Sequence, residues 1–187
     1  MTKAVERHEI LDYVTYEEER AALREAAMRT KDERRVHVGP HLTVLFENHD
    51  TIRYQVLEMV RTERMVKDAD IRHEIETYNE LLGGPGELGC TLLVELDDPA
   101  LRARKLSEWL GLPGHLYARR ADGGLARARF DERQVGETRV SSVQYLKFEV
   151  GSEAPVAIGC DHPDPELHHE AVLTPQQRAA LQRDLEE

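Results

Sequence analysis

Between residues 88 and 96 the chain alternates without a break. Leu88, Cys90, Leu92, Val94 and Leu96 fall on one parity, and Gly89, Thr91, Leu93 and Glu95 on the other. A sustained period of two marks a strand with one face turned to a core. The strand is entered through Gly83-Gly84-Pro85-Gly86, a turn without a phosphate-loop pattern. It is left through Asp97-Asp98-Pro99, where Asp98 caps a helix and Pro99 takes its first position. That helix runs through Trp109 and stops at Gly111.

The other strand-like runs are also separated by tight-turn signals. Residues 35–46 alternate and are broken at Gly39-Pro40, which gives two short strands or one bent strand. Residues 115–121 and 124–130 flank Asp122-Gly123, a hairpin signal. Residues 140–150 and 155–160 are two further strands joined by a turn near Gly151-Ser152, and a polar loop follows over 161–170.

The helices carry their own punctuation. Thr15 with Glu18 reads as a capping box opening a helix over 16–29. Asn48 or Asp50 caps a helix over 51–66. Ile71, Ile75, Tyr78 and Leu82 line one face of a helix over 70–82, and the short connection makes these two helices an antiparallel pair. Thr174-Pro175 opens a last helix. Strands and helices do not alternate strictly. The expected fold is therefore α+β, with a largely antiparallel sheet and helices packed on it, including the pair near 51–82. One domain over 1–187 is expected, with 1–14 as an N-terminal extension and 161–187 as a C-terminal loop and helix.

Composition excludes several classes. A chain of 187 residues buries roughly 70% of its unfolded surface and needs no staple to fold. Cys90 and Cys160 form no CxxC pair, and reduced thiols in a cytoplasm are the simpler reading. Residues 1–9 are charged and lack the apolar stretch of a signal peptide, and no apolar run approaches a membrane span. A net charge of −11 argues against nucleic acid as a partner. A cytoplasmic protein is expected.

Polar residues in unexpected places define the candidate sites. On the helix over 51–66, Ile52, Val56 and Met59 centre the apolar face, and Glu63 falls on the same stripe. A carboxylate there needs a partner, a metal or a route to solvent, such as pairing with Lys67. Gln55 and Thr62 flank the stripe and Glu58 lies further round. Glu47, Asn48 and Asp50 cluster where a strand hands over to a helix, and capping explains only one of them. Nine histidines invite a metal reading. His37 and His41 can meet only across a turn at Gly39-Pro40, and His73 lies off the apolar face of its helix. Cys160-Asp161-His162 offers thiol, carboxylate and imidazole at the end of a strand, with His168, His169 and Glu170 nearby. Arg119, Arg120, Arg127, Arg129 and Arg133 make a basic cluster, with Arg120, Arg127 and Arg129 on one hairpin face and Asp131, Glu132 and Glu137 as local counter-ions.

The run Gly39-Pro40-His41-Leu42-Thr43 into Phe46-Glu47-Asn48, then Asp50-Thr51, Gln55, Glu58-Met59, Arg61 and Glu63-Arg64, resembles the bacterial domain-of-unknown-function family 3501. Tyr78-Asn79, Gly86-Glu87-Leu88, Thr91-Leu92, residues 142–145 and Asp161-His162-Pro163 extend the resemblance over nearly the whole chain. It carries no established activity. It implies a genomic neighbourhood of rubrerythrin-like proteins and iron–sulfur oxidoreductases, hence iron or peroxide chemistry or a partner that performs it. It includes Glu47, Gln55, Glu58, Glu63 and Asp161-His162, and not His37, His73 or His168-His169.

Two expectations follow. In the first, a metal-dependent or redox-linked protein uses a carboxylate/histidine pocket. Glu58 and Glu63 act catalytically, Glu47, Asn48, Gln55 and Arg61 bind ligand, and His41, Glu47, Glu63, Asp161 and His162 hold a divalent iron, zinc or manganese. In the second, a non-catalytic accessory protein docks an iron–sulfur or rubrerythrin-type partner through the 119–133 hairpin or its acidic surface. A homodimer suits either.

Overall fold

The computed structural model describes residues 3–134 and 136–187. Met1 and Thr2 of the expected N-terminal extension lie outside the described residues. Helix α1 (Tyr13–Asp32) is followed by strands β1 (Arg35–Val38) and β2 (Leu42–Phe46), then helices α2 (His49–Thr62) and α3 (Asp68–Asn79). Strand β3 (Glu87–Val94), helices α4 (Pro99–Glu108) and α5 (Leu112–His115) and strands β4 (Leu116–Arg119) and β5 (Leu125–Arg129) come next. Strands β6 (Val143–Glu149), β7 (Ala157–Cys160) and β8 (His169–Val172) and helix α6 (Pro175–Glu186) complete the order.

The eight strands among the described residues form one sheet in the order β1-β2-β3-β6-β5-β4-β7-β8, and every neighbouring pair is antiparallel. The fold is α+β with helices on an antiparallel sheet, as the periodicity predicts. The sheet curls until β1 lies against β8 without a ladder between them, so it is nearly a barrel. Gly39 sits at that seam with φ +68°, and a Cβ there would lie 2.2 Å from the His169 ring. Only glycine accepts both the turn and the contact.

Curling gives the sheet an inside. The parity that carries Leu88, Cys90, Leu92 and Val94 of β3 faces inward with Val44 and Phe46 of β2 and Leu146 and Phe148 of β6. Trp109 and Leu112 from the α4–α5 segment and Leu173 and Leu181 from the C-terminal segment fill the same cluster. Trp109, Phe46 and Phe148 are all completely buried. A second apolar cluster lies outside, among α1, α2 and α3, built on Tyr16, Ile52, Val56, Val60, Ile71 and Ile75, and Val5 and Ile10 of the N-terminal segment join it. This layer sits on the outer side of β3. A Cβ on Gly89 would lie 1.8 Å from the Leu81 carbonyl oxygen, so only a bare backbone lets the helical layer approach.

The caps differ from the sequence reading in one place. Asp12, not Thr15, caps α1, because its carboxylate accepts from both Val14 N–H and Thr15 N–H, at 3.0 Å each. Asn48 caps α2, Asp98 caps α4 ahead of Pro99, and Thr174 caps α6, all as expected. Two strand expectations need correction. Strands β6 and β7 do not pair across the turn near Gly151, because β5 and β4 stand between them. The loop expected over 161–170 ends in a strand, since His169–Val172 pairs with β7.

One buried ion pair ties the C-terminus to the rest. Arg34 donates from Nε and Nη2 to the two carboxylate oxygens of Asp184, both at 2.8 Å, and both side chains are buried. Removing one partner strands the other charge away from water. Asp184→Asn is expected to lower unfolding free energy by about 3–5 kcal/mol, read from urea denaturation. A loss below about 1 kcal/mol would mean the pair behaves as a surface bridge.

Candidate functional site

The residues singled out by the sequence belong to several separate networks. Glu47 ends β2, and its backbone N–H donates to Gly89 O at 2.9 Å. Its carboxylate is buried and accepts from Thr51 Oγ1 at 2.5 Å and Thr91 Oγ1 at 2.7 Å. Asn48 Oδ1 accepts from Thr51 N–H at 3.0 Å, and Thr51 Oγ1 accepts from Asn48 N–H at 3.0 Å. Glu47 is thus not surplus to the cap. It clamps the start of α2 to β3, with two hydroxyls satisfying its oxygens.

Glu58 ties α1 to α2. Tyr16 Oη donates to it at 2.6 Å, and Arg20 donates from Nε and Nη2 at 2.8 and 3.0 Å. The Arg20 guanidinium holds the Glu58 carboxyl below the usual range, against the opposing effect of burial, while burial and then Glu58 raise the Tyr16 hydroxyl. Three donors from α1 thus hold this carboxylate as a tie between the two helices. Gln55 is half-buried on the same helix, and Arg61 pairs with Glu17.

Glu63 takes the route to solvent and not the buried stripe. Helix α2 ends at Thr62, so Glu63 is its C-cap and is exposed, without the expected bridge to Lys67 among the described residues. Its N–H donates to Met59 O, and Arg64 follows with φ +48° while Met65 N–H reaches back to Val60 O. A left-handed residue closing a helix end in this way explains the turn.

His41, Asp161 and His162 lie at one end of the curled sheet, away from Glu47 and Glu63. The His41 ring is 5.7 Å from the Trp109 ring, and its Nε2 is 3.5 Å from Glu166. Asp161 accepts from Arg127 Nη2 at 2.6 Å and lies 3.1 Å from His115 Nδ1. The His162 Nδ1 accepts from Asp164 N–H at 3.1 Å, and the Leu110 backbone hydrogen-bonds the ring as well. Burial, then the His115 ring at 5.0 Å, holds its pKa below the usual value. Burial and the Asp164 backbone thus hold the His162 ring against the start of its loop. Cys160 points into the core, where burial pushes its thiol up to about 11. His37 turns to Thr43, and His73 is exposed. Among the described residues, no group of three or more His, Cys, Asp and Glu stands close enough to share a metal ion. The expected convergence of His41, Glu47, Glu63, Asp161 and His162 is therefore absent, because Glu47 is held by Thr51 and Thr91, Asp161 by Arg127 and His115, and Glu63 is exposed at the end of α2.

A match to the family model described as "Protein of unknown function (DUF3501)" spans residues 4–185. The chain belongs to the DUF3501 family. A solved structure, described as a novel protein of unknown function from Burkholderia pseudomallei K96243, superposes with a TM-score of 0.89 at 29% identity. The alignment covers 98% of this chain and 100% of that one. No curated protein matches the chain.

In this DUF3501 chain the basic cluster is placed differently from the sequence reading. Arg119 pairs with Leu125 and Tyr117 with Arg127, so the hairpin loop is one residue longer than Asp122-Gly123 alone implies. Gly123 takes φ +85° to close it. A slip of one residue exchanges faces, and Arg119, not Arg120, joins Arg127 and Arg129 outside. There the Tyr117 ring lies over Gly159, and Arg119 and Arg127 stand 5.8 and 5.5 Å from its centroid. Tyr117 Oη donates to Glu170 at 2.8 Å, and Glu170 also takes Arg119. Composition flagged these arginines but not Tyr117, whose parity with Arg119 was the only sign.

Asp161 gives a pH test. Arg127 is the main cause that lowers its pKa from 3.8 to about 2, burial opposes, and His115 adds to the lowering. A depressed carboxylate stabilises the fold above its unfolded pKa and loses that contribution as pH falls through the folded one. Asp161→Asn is expected to cost about 1 kcal/mol or less at neutral pH. The gap to wild type should close between pH 3.8 and about 2, as followed by denaturation at several pH values. A gap independent of pH would place the loss elsewhere.

Proposed function

We propose that the protein is a non-catalytic accessory protein that docks a redox partner of the iron–sulfur or rubrerythrin type. The observation that carries this reading is the uncovered outer face of β5, β4, β7 and β8. Tyr117, Leu125 and Val172 of that face belong to neither apolar cluster, and Leu125 and Val172 are exposed, Val172 by 78%. Pairing places Leu125, Arg119, Ala157 and Val172 in one row across the strands. Tyrosine and arginine around exposed aliphatic groups are the residue types enriched at protein interfaces.

Charge supports the same choice. The chain carries −11 overall, while on this face Arg119 and Arg127 balance Glu170 and Asp161. An acidic partner is repelled least there. The clefts on the surface are open, and the candidate carboxylates Glu47 and Glu58 are bonded within the fold, which fits binding better than chemistry. The iron or peroxide character of the partner rests on the family resemblance.

Tagged wild type and a Leu125→Glu/Val172→Glu variant, purified from the native host, test the reading. An iron-containing redox protein should co-elute with wild type and be lost from the variant, with circular dichroism unchanged. Equal recovery by both, or no redox protein with either, overturns the docking face. Stoichiometric metal in the isolated wild-type chain, by elemental analysis, returns the reading to a metal-dependent protein.

A further inference from the structure

Strand β6 lies outside the docking face and carries an anomaly of its own. Arg129 of β5 and Lys147 of β6 are paired residues in the ladder, so two cations stand directly opposite on the outer face. Like charges in that relation destabilise a sheet unless something lies between or beside them. Glu87 neutralises Arg129 and also accepts from Gly84 N–H. Among the described residues, Lys147 has no counter-ion. Asp131 is held by Arg133, and Glu80 at the rim faces the same Arg133.

Lys147 does not simply extend into solvent. With Arg129, Phe130, Tyr145 and Leu81 it lines a cleft of about 340 Å³ between the end of α3 and the β5–β6 ladder. Its lining joins the cations Arg129 and Lys147 and the carboxylates Glu80 and Asp131 to the apolar groups Leu81, Phe130, Tyr145 and Leu146. Tyr145 is 37% exposed, and partial desolvation, with Tyr78 and Glu47 nearby, raises its hydroxyl pKa.

We infer that this cleft binds a small organic anion with a flat apolar body, an aromatic carboxylate in chemical class. The carboxylate sits between Lys147 and Arg129 and supplies the missing counter-charge. The ring lies against Tyr145 and Leu81. The site adjoins the proposed docking face at Arg129 but uses neither Leu125 nor Val172, so either can fail without the other.

The test is a titration of isotope-labelled full-length protein at constant ionic strength, followed by amide shifts. The probes are benzoate, its neutral isostere benzamide, and inorganic phosphate. Benzoate should shift the amides of Arg129, Tyr145 and Lys147 saturably, with a Kd on the order of millimolar. Benzamide should leave them in place. Lys147→Gln should weaken benzoate about tenfold while the rest of the spectrum is unchanged. Lys147→Met, which keeps the aliphatic stem, replaces it if the glutamine variant loses its native spectrum. Equal shifts with benzamide, undiminished benzoate binding in the variant, or no saturation with benzoate overturns the site. Tighter binding of phosphate than of benzoate overturns the aromatic class.

Discussion

The structure depends on filling the inside of one curled sheet. Each strand presents one parity to that interior, and the large side chains Phe46, Phe148 and Trp109 are buried there completely. Burying a side chain of that size contributes roughly 1.5–3 kcal/mol, so the parity of every strand is set by the core. What remains outside divides in two. Over β3 the bare backbone of Gly89 admits the helical layer of α1, α2 and α3. Beyond β6 the outer face is left to polar and half-exposed side chains, and that is where binding has room.

The carboxylates serve the same architecture. Glu47 joins β2, β3 and α2 through two threonine hydroxyls, Glu58 joins α1 to α2 through Tyr16 and Arg20, and Asp184 joins α6 to Arg34. In a strongly acidic chain Glu47 and Asp184 are buried and Glu58 is half-buried, and each is matched by donors on a different element. Residues that look catalytic by type act here as ties between layers. Tyr117 and its two arginines differ, since their network lies on a face no helix covers.

Much of the fold was legible because its signals are local. Alternation over 88–96, the Gly39-Pro40 break and the caps at Asn48, Asp98 and Thr174 each depend on a few neighbouring residues. The misplacements came where a local pattern had two solutions. Asp122-Gly123 is compatible with two loop lengths, and the longer one put Arg119 rather than Arg120 beside Arg127. Glu63 lay on an apolar stripe only if α2 continued past Thr62, which Arg64 and Met65 prevent by closing the helix end. Strand β8 was hidden because four residues following a Pro- and His-rich loop carry too little alternation to read alone.

By itself the sequence determined the α+β class, the antiparallel sheet, most helix starts and the family, since all of these are written in periodicity, capping and ordered motifs. Only the tertiary structure decided the strand order, the curl that brings Gly39 to His169, and the partners of Glu47, Glu58 and His162. Those partners come from elements distant in the chain. Whether a polar side chain is a tie or an open site depends on what the fold places opposite it.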